Sequence, residues 1–217
     1  MDIKVSASIL AADFSNLGEE LRSVKNADQI HIDVMDGHFV DNLTFGPMII
    51  RAMRKESDQI FQAHLAIENC EKYLSDYIEA GADIILVHPE VCHQLNRTLR
   101  EIKELGAQAG VAISPSTPLS SIKYFLSEID MVSVMTVDPG FGGQKFIEGI
   151  LYKIQELRRL IDHKNLKIDV QVDGGIKPET TAKKCVEAGA NVLAAGTAIF
   201  DAEDRRKAIK NMRNLEI

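Results

Sequence analysis

The sequence predicts an α/β protein, a single (β/α)8 (TIM) barrel that spans residues 1–217. Three observations predict this class: eight short apolar segments, helical periodicity between them, and apolar residues that run continuously through several of these segments. Continuous apolarity is typical of parallel strands that are covered on both faces. Eight units in 217 residues average about 27 residues each, close to one βα step. A doubly wound open sheet is the alternative, and the count of eight favours the barrel.

The predicted strands are short and rich in β-branched residues. In chain order they are Lys4–Ile9, Gln29–Asp33, Ile60–Leu65, Ile84–His88, Gln108–Ile113, Met131–Thr136, Lys167–Val172 and Val192–Ala195. Between them, apolar residues recur every three or four positions, most clearly over 17–24 and 150–161, which predicts amphipathic helices. The motifs EAGAD at 79–83 and EAGAN at 187–191 repeat one pattern, in which Gly ends a helix before a strand begins.

Composition excludes several classes of partner. The formal net charge is −7 and no long basic stretch is present, which argues against nucleic acid or an anionic membrane surface as a partner. No apolar run approaches the roughly 20 residues of a membrane span, and the N-terminal apolar stretch is a poor signal peptide. The three cysteines are odd in number and widely spaced, which predicts reduced thiols and a cytoplasmic protein.

Two imidazoles and two carboxylates fall at predicted strand ends, where the chemistry of parallel barrels lies. His31 and Asp33 share one face of strand 2, His64 lies at the end of strand 3, and Asp173 follows strand 7. Each residue alone could be a satisfied core residue or a cap. Together they would bury two carboxylates with no Lys or Arg at these strand ends, which is costly without a cation. This donor set suits Zn²⁺, Mn²⁺, Fe²⁺ or Co²⁺ better than Mg²⁺.

Glycine-rich loops follow the last three predicted strands. They are Gly140–Gly143, Gly174–Gly175 and the pair Gly196 and Thr197, which opens a helix. Glycines let backbone N–H groups approach an anion closely, and loops after strands 7 and 8 often bind phosphate in this fold. Tight turns are the alternative explanation, and three such loops together favour a phosphate site.

Several neighbouring residues have less specific signals. Met35 and Met135 end strands 2 and 6, and they are either core filler or an apolar cover over a bound intermediate. His88, Glu90 and Ser114 lie at the ends of strands 4 and 5. We expect these three to line the pocket, although purely structural roles explain them equally well.

Long motifs resemble those of ribulose-phosphate 3-epimerases. They include HIDVMDGHF at 31–39, PGFGGQ at 139–144 and DGGI at 173–176, and the resemblance covers essentially the whole chain. It implies a metal-dependent barrel enzyme that interconverts D-ribulose 5-phosphate and D-xylulose 5-phosphate. The family pattern also implies that His31, Asp33, His64 and Asp173 bind one divalent ion. We expect this ion to be zinc, with Fe, Mn or Co as alternatives.

The resemblance assigns further roles. Asp33 and Asp173 would be the acid/base pair, and Ser8 and His64 would contact substrate. The phosphate would be held by the backbone of Gly140, Phe141, Gly142, Gly143, Gly174, Gly175, Gly196 and Thr197. Inverting a carbon beside a carbonyl needs two bases on opposite faces and no organic cofactor, which agrees with these roles. We also expect a homo-oligomer, either a dimer or a hexamer.

Departures from the family pattern leave the substrate open. Ala66 stands where the family has a methionine after the strand-3 histidine, and HPE at 88–90 together with Asp138 resembles D-allulose-6-phosphate 3-epimerases. A D-allulose-6-phosphate 3-epimerase is therefore the alternative. Two further alternatives are another phosphate-binding barrel that acts on amino-acid precursors and a non-catalytic sugar-phosphate-binding barrel. The intact carboxylate pair favours an enzyme.

Overall fold

A computed structural model describes residues 2–215 of the chain. Its centre is a closed barrel of eight strands in chain order, all parallel, with the last strand hydrogen-bonded to the first. The strands are β1 Lys4–Ser8, β2 Gln29–Met35, β3 Ile60–Ala66, β4 Ile84–Val87, β5 Gln108–Ile113, β6 Met131–Met135, β7 Asp169–Asp173 and β8 Val192–Ala195. The predicted (β/α)8 barrel is confirmed, and the open sheet is excluded.

Helices surround the barrel. They are α1 Leu17–Ser23, α2 Pro47–Arg54, α3 Leu74–Glu79, α4 Leu95–Glu104, α5 Ile150–His163, α6 Lys183–Glu187, α7 Thr197–Phe200 and α8 Arg205–Arg213. Helix α5 buries Ile150, Ile154, Leu157 and Ile161, the periodic face that the sequence predicts. Among residues 2–215, no helix is long and apolar enough to cross a membrane.

The connection between β5 and β6 differs from the others. It contains two 3-10 turns, Leu119–Ser121 and Leu126–Glu128, and no α-helix. Pro115 and Pro118 lie at its start. Because proline lacks an N–H and restricts the residue before it, this segment is poorly suited to a regular helix.

The register of the strands arranges the interior in layers. His31 pairs with Gln62, and two residues further Asp33 pairs with His64. On the other side of the barrel, Met135 pairs with Asp173. Because side chains two residues apart on a strand share a face, these positions stack toward the carboxyl ends of the strands.

Candidate active site

The four side chains predicted as metal ligands form one buried group. Their ligand atoms all lie within 4.8 Å of one another. The Nε2 atom of His31 lies 3.2 Å from Asp33 Oδ1 and 3.2 Å from Asp173 Oδ2. The Nδ1 atom of His64 lies 3.1 Å from Asp33 Oδ1 and 3.7 Å from Asp173 Oδ2. Strands β2, β3 and β7 therefore present two nitrogens and two carboxylates to a common point.

The electrostatics of this group favour a positive charge between the carboxylates. Burial alone lowers the pKa of His31, but the carboxylates of Asp33 and Asp173 outweigh it and hold that pKa well above its ordinary value. Burial also opposes ionisation of Asp33, yet His31 and His64 hold its pKa well below the ordinary value. Either a proton on the His31 imidazole or a cation among the four groups would supply the positive charge that the two carboxylates favour.

Hydrogen bonding behind His31 shows that the group fits a metal ion. His31 Nδ1 contacts Gln62 Oε1, which is an acceptor, so that nitrogen carries the proton. The Nε2 lone pair of the neutral ring then faces two carboxylates, an arrangement that a divalent cation would stabilise. Among the described residues, no Lys or Arg pairs with Asp33 or Asp173. The donors suit the transition metals that the sequence predicts.

A layer of buried amides lies beneath the four ligands, and sequence reasoning missed it. Gln62 and Gln171 are fully buried and exchange two hydrogen bonds of 3.0 Å each. Gln171 also donates to Ser133 Oγ at 3.0 Å. Gln62 and Gln171 each precede a predicted ligand by two positions. The period of two along a strand was therefore the signal that could have found them.

A cavity of about 390 Å³ opens above the ligands. Predicted site residues line it: Ser8, Asp33, His64, Asp173, Gly140, Phe141, Gly142, Gly143, Gly174, Gly175, Gly196 and Thr197. Of the metal, substrate and phosphate ligands that the family resemblance assigns, only His31 is missing from the lining, because its ring is fully buried. The Ser8 hydroxyl donates to Asp33 Oδ2 at 2.8 Å. The volume is in the range of a small-molecule site.

The glycine-rich loops form one wall of this cavity. A Cβ atom on Gly174 would lie 2.3 Å from Val137 Cγ2, so only glycine lets the loops after β6 and β7 pack this closely. The backbone N–H groups of Gly142, Gly143 and Gly175 have no acceptor among residues 2–215. No Lys or Arg belongs to the described lining. An anion in this cavity would therefore depend on backbone amides and on any cation held by the four-residue group.

Comparison with known proteins identifies the family. Residues 4–200 match the sequence profile of the Ribulose-phosphate 3 epimerase family. The chain is 50% identical over 214 residues to the ribulose-phosphate 3-epimerase of Bacillus subtilis (strain 168), and the match covers 97% of this chain and 98% of that one. This chain belongs to the ribulose-phosphate 3-epimerase family. The family resemblance and the assignment to isomerases that act on carbohydrates are confirmed.

Other relatives agree with this membership. The chain is 48% identical over 219 residues to the chloroplastic ribulose-5-phosphate-3-epimerase of Arabidopsis thaliana, covering 98% of this chain and 76% of the relative. A crystal structure of 3-hexulose-6-phosphate synthase superposes with a TM-score of 0.74 at 20% identity, covering 99% of this chain and 100% of the other. That likeness shows the shared barrel fold.

Three residues expected at the pocket lie elsewhere in this family member. His88, Glu90 and Ser114 are absent from the lining of the cavity above the ligands. His88 is fully buried beside His64. Glu90 and Ser114 line a separate small pocket, which the loops after β2 and β6 also border. The expectation that they line the main cavity was wrong, because His88 packs against the imidazole of His64 and Glu90 turns to accept hydrogen bonds from Ser114 N and Thr117 Oγ1.

The apolar cover over the ligands does include both methionines. Met35 and Met135 line the cavity, as does Ala66 at the position where the family has methionine. Ala66 is 1% exposed and packs with Met35 and Val40. Leu10 and Phe39 pack against the same cluster. These neighbours border the space that a methionine side chain would occupy.

Proposed function

We propose that this chain interconverts D-ribulose 5-phosphate and D-xylulose 5-phosphate by inverting carbon 3. The observation that carries the proposal is the placement of two carboxylates on separate strands at the floor of one cavity. Asp33 lies on β2 and Asp173 on β7, and both are 3.2 Å from the same His31 nitrogen. An epimerisation beside a carbonyl needs one group to remove a proton from one face and another to return a proton to the other face.

Each aspartate has a defined part in this proposal. One carboxylate takes the proton from carbon 3, and the carboxylic acid on the other face gives a proton back. The Ser8 hydroxyl, 2.8 Å from Asp33 Oδ2, orients that carboxylate. A positioned general acid or base contributes typically about 10²–10⁴-fold to the rate. The pair can act in either direction because both substrates differ only in configuration at one carbon.

A divalent ion completes the proposed site. His31, Asp33, His64 and Asp173 would hold it, and zinc is the first expectation, with Fe, Mn and Co as alternatives. Such an ion supplies Lewis-acid polarisation of the ketone. The fit of the four buried donors, with no Lys or Arg paired to them in the described part of the chain, supports this assignment. No organic cofactor forms part of the proposal.

The proposed phosphate site is the glycine wall of the cavity. The free N–H groups of Gly142, Gly143 and Gly175 support it, together with the proximity of Gly196 and Thr197. A dianionic phosphate gains most from several converging amides when no basic side chain is available.

The deciding experiment measures turnover of D-ribulose 5-phosphate and D-allulose 6-phosphate side by side with the metal-loaded protein. We expect a higher kcat/KM for the five-carbon substrate. A higher value for the six-carbon substrate would instead support the D-allulose-6-phosphate alternative. Tight binding of both sugars without turnover of either would support the non-catalytic barrel.

We further propose that the protein is a cytoplasmic homo-oligomer, a dimer or a hexamer. Leu43 and Met48, in the segment after β2, are 74% and 78% exposed, and large exposed apolar side chains favour association. Light scattering at several protein concentrations measures the state directly. A monomer at all concentrations would contradict this proposal.

A further inference from the structure

Two buried imidazoles are in direct contact behind the candidate metal site. His64 Nε2 and His88 Nε2 are 2.8 Å apart, and the rings are stacked with centroids 5.0 Å apart. The residues are 1% and 0% exposed. At this distance one nitrogen must carry a proton and the other must offer a lone pair. The direction of this hydrogen bond therefore decides which nitrogen of His64 is free for a metal ion.

Glu90 faces the second ring nitrogen of His88, the one that is not in contact with His64. Its Oε1 atom accepts hydrogen bonds from Ser114 N, at 3.0 Å, and from Thr117 Oγ1. Its Oε2 atom lies 3.4 Å from His88 Nδ1. This nitrogen is buried and forms no hydrogen bond among residues 2–215, so Glu90 Oε2 faces it as an ion-pair contact. A carboxylate oxygen at that distance favours an N–H over a lone pair, so the His88 proton belongs on Nδ1.

We propose that His88 and Glu90 are positioning residues that fix the tautomer of His64. With its proton on Nδ1, His88 offers the Nε2 lone pair, and His64 must donate its own Nε2–H. The Nδ1 lone pair of His64 then points at Asp33 and Asp173, where the proposed function needs a metal ligand. The inference rests on that proposed function and deepens it, since it explains how the site is kept ready for a cation.

The arrangement parallels the one behind His31. There, Gln62 Oε1 accepts from Nδ1 and leaves Nε2 free for the same cation. Ligand histidines usually bond through their second nitrogen to such an acceptor, which fixes both tautomer and ring orientation. The His88–Glu90 pair is also rigidly supported, because Lys153 Nζ donates to three carbonyl groups of the loop after β5. That loop supplies the two donors to Glu90 Oε1.

The substitution Glu90→Gln tests the direction of the bond without changing the shape of the side chain. Ser114 N–H and Thr117 O–H require an acceptor at the Oε1 position, so the amide oxygen takes that place. The amide NH₂ group then faces His88 Nδ1 and requires a lone pair there. The His88 proton shifts to Nε2, the bond to His64 reverses, and His64 Nδ1 acquires the proton that excludes a metal ion.

The readout is the Zn²⁺ dissociation constant, measured by competition with a chelator. We expect Glu90→Gln to weaken Zn²⁺ binding about 10–100-fold, the usual cost of losing an outer hydrogen-bond partner. Glu104→Gln on α4, where the side chain is 72% exposed, is the matched control and should leave the constant unchanged. His88→Leu, which removes the acceptor, should weaken binding to a similar extent.

His88→Gln distinguishes a positioning role from a merely structural one. Its amide can turn its oxygen toward His64 Nε2–H, so Zn²⁺ binding should recover relative to His88→Leu. In the His88→Gln protein, the amide introduced at position 88 can orient to suit either side chain at position 90. Adding Glu90→Gln to this protein should therefore weaken Zn²⁺ binding only slightly. Equal Zn²⁺ affinities in wild type and Glu90→Gln would overturn the inference, as would full additivity of His88→Gln and Glu90→Gln.

Nitrogen-15 NMR of the histidine rings tests the same inference in metal-free protein. We expect the His88 proton on Nδ1 in the wild type and on Nε2 in Glu90→Gln. The same His88 tautomer in both proteins would overturn the inference, whether or not Zn²⁺ binds. Wild-type protein that binds Zn²⁺ but does not epimerise the sugar would contradict the proposed function alone, so the two failures are distinguishable.

Discussion

At the scale of single residues, the proposed reaction depends on two carboxylates that share one imidazole. Asp33→Asn and Asp173→Asn each keep the shape of the side chain but remove the base. We expect each substitution to lower kcat by at least about 10²–10⁴-fold, the typical contribution of one acid/base group. Wild-type turnover in heavy water should place deuterium at carbon 3 of the product, because carboxyl protons exchange with solvent.

The control for these variants is Asp162→Asn on α5, where the side chain is 65% exposed and far from the cavity lining. It should leave kcat unchanged. Product that is epimerised but carries no deuterium would contradict the two-base mechanism and indicate a shielded proton.

Ala66 is the residue at which the cavity differs most clearly from the family pattern. It lines the cavity and packs with Met35 and Val40. Ala66→Met would narrow this end of the site. We expect it to lower kcat/KM for a six-carbon ketose phosphate more than for a five-carbon one. One carbon in an apolar pocket is worth about 10–200-fold, which sets the expected difference. Equal losses for both substrates would show that neighbouring side chains, and not the substrate, fill the space.

At the scale of elements, the strands carry a polar layer through the barrel interior. Gln62 on β3 and Gln171 on β7 are fully buried, and Gln62 also contacts His31 Nδ1. Gln62→Leu would leave donors and acceptors on both neighbours without partners. We expect a loss of about 1–3 kcal/mol in the free energy of unfolding, measured with urea in the presence of chelator.

Two further variants test whether the burial of Gln62 and its pairing with Gln171 cause this loss of stability. Gln108→Leu makes the same change at an exposed position of β5 and should have little effect. The double variant Gln62→Leu/Gln171→Leu removes both members of the amide pair and should cost less than the sum of the single variants. Strict additivity would contradict the pairing.

Glu90 links the loop after β4 to the loop after β5, and this link depends on pH. Burial opposes its ionisation, but His88, Thr117 and Ser114 outweigh burial and lower its pKa from 4.5 to about 2. A pKa that is depressed on folding stabilises the protein above the unfolded value, and the contribution is lost as the pH falls toward the folded value. At neutral pH the contribution is at most about 3 kcal/mol.

We therefore expect wild type to lose more free energy of unfolding than Glu90→Gln as the pH falls from 5 to 3. Urea unfolding at intervals across this range measures the difference between the two proteins. Glu104→Gln should track the wild type throughout. A constant difference between wild type and Glu90→Gln over this range would contradict the assigned shift.

The strands and the convergence of His31, Asp33, His64 and Asp173 were predictable from sequence, because both depend on period and position. Strand β2 runs two residues further than predicted, to Met35, and β7 begins two residues later, at Asp169. The contact between His64 and His88 was not predictable. It depends on the register of neighbouring strands and on the side-chain rotamers of the two histidines. The periodicity of apolar residues predicts neither of these. The 3-10 turns between β5 and β6 were missed because the prolines there were given no weight.

At the scale of the whole molecule, barrel closure turns distant segments into one site. Asp33 and Asp173 are 140 residues apart in the chain, yet both contact His31 because the strands form one closed ring. A bound cation would therefore cross-link three strands of the barrel. A ligand that binds only the folded state stabilises it by mass action, so metal loading and global stability are coupled.

We expect removal of the metal ion by a chelator to lower the midpoint of thermal unfolding, and added Zn²⁺ to restore it. At a free Zn²⁺ concentration of 100 times Kd, the stabilisation is about 2.7 kcal/mol. The double variant Asp33→Asn/Asp173→Asn keeps the packing but loses both carboxylate ligands, so its midpoint should not respond to Zn²⁺. Glu104→Gln should respond as the wild type does. An unfolding midpoint of wild-type protein that is the same with chelator and with Zn²⁺ would contradict the metal site, because a cation held by four buried groups of three strands must be released on unfolding.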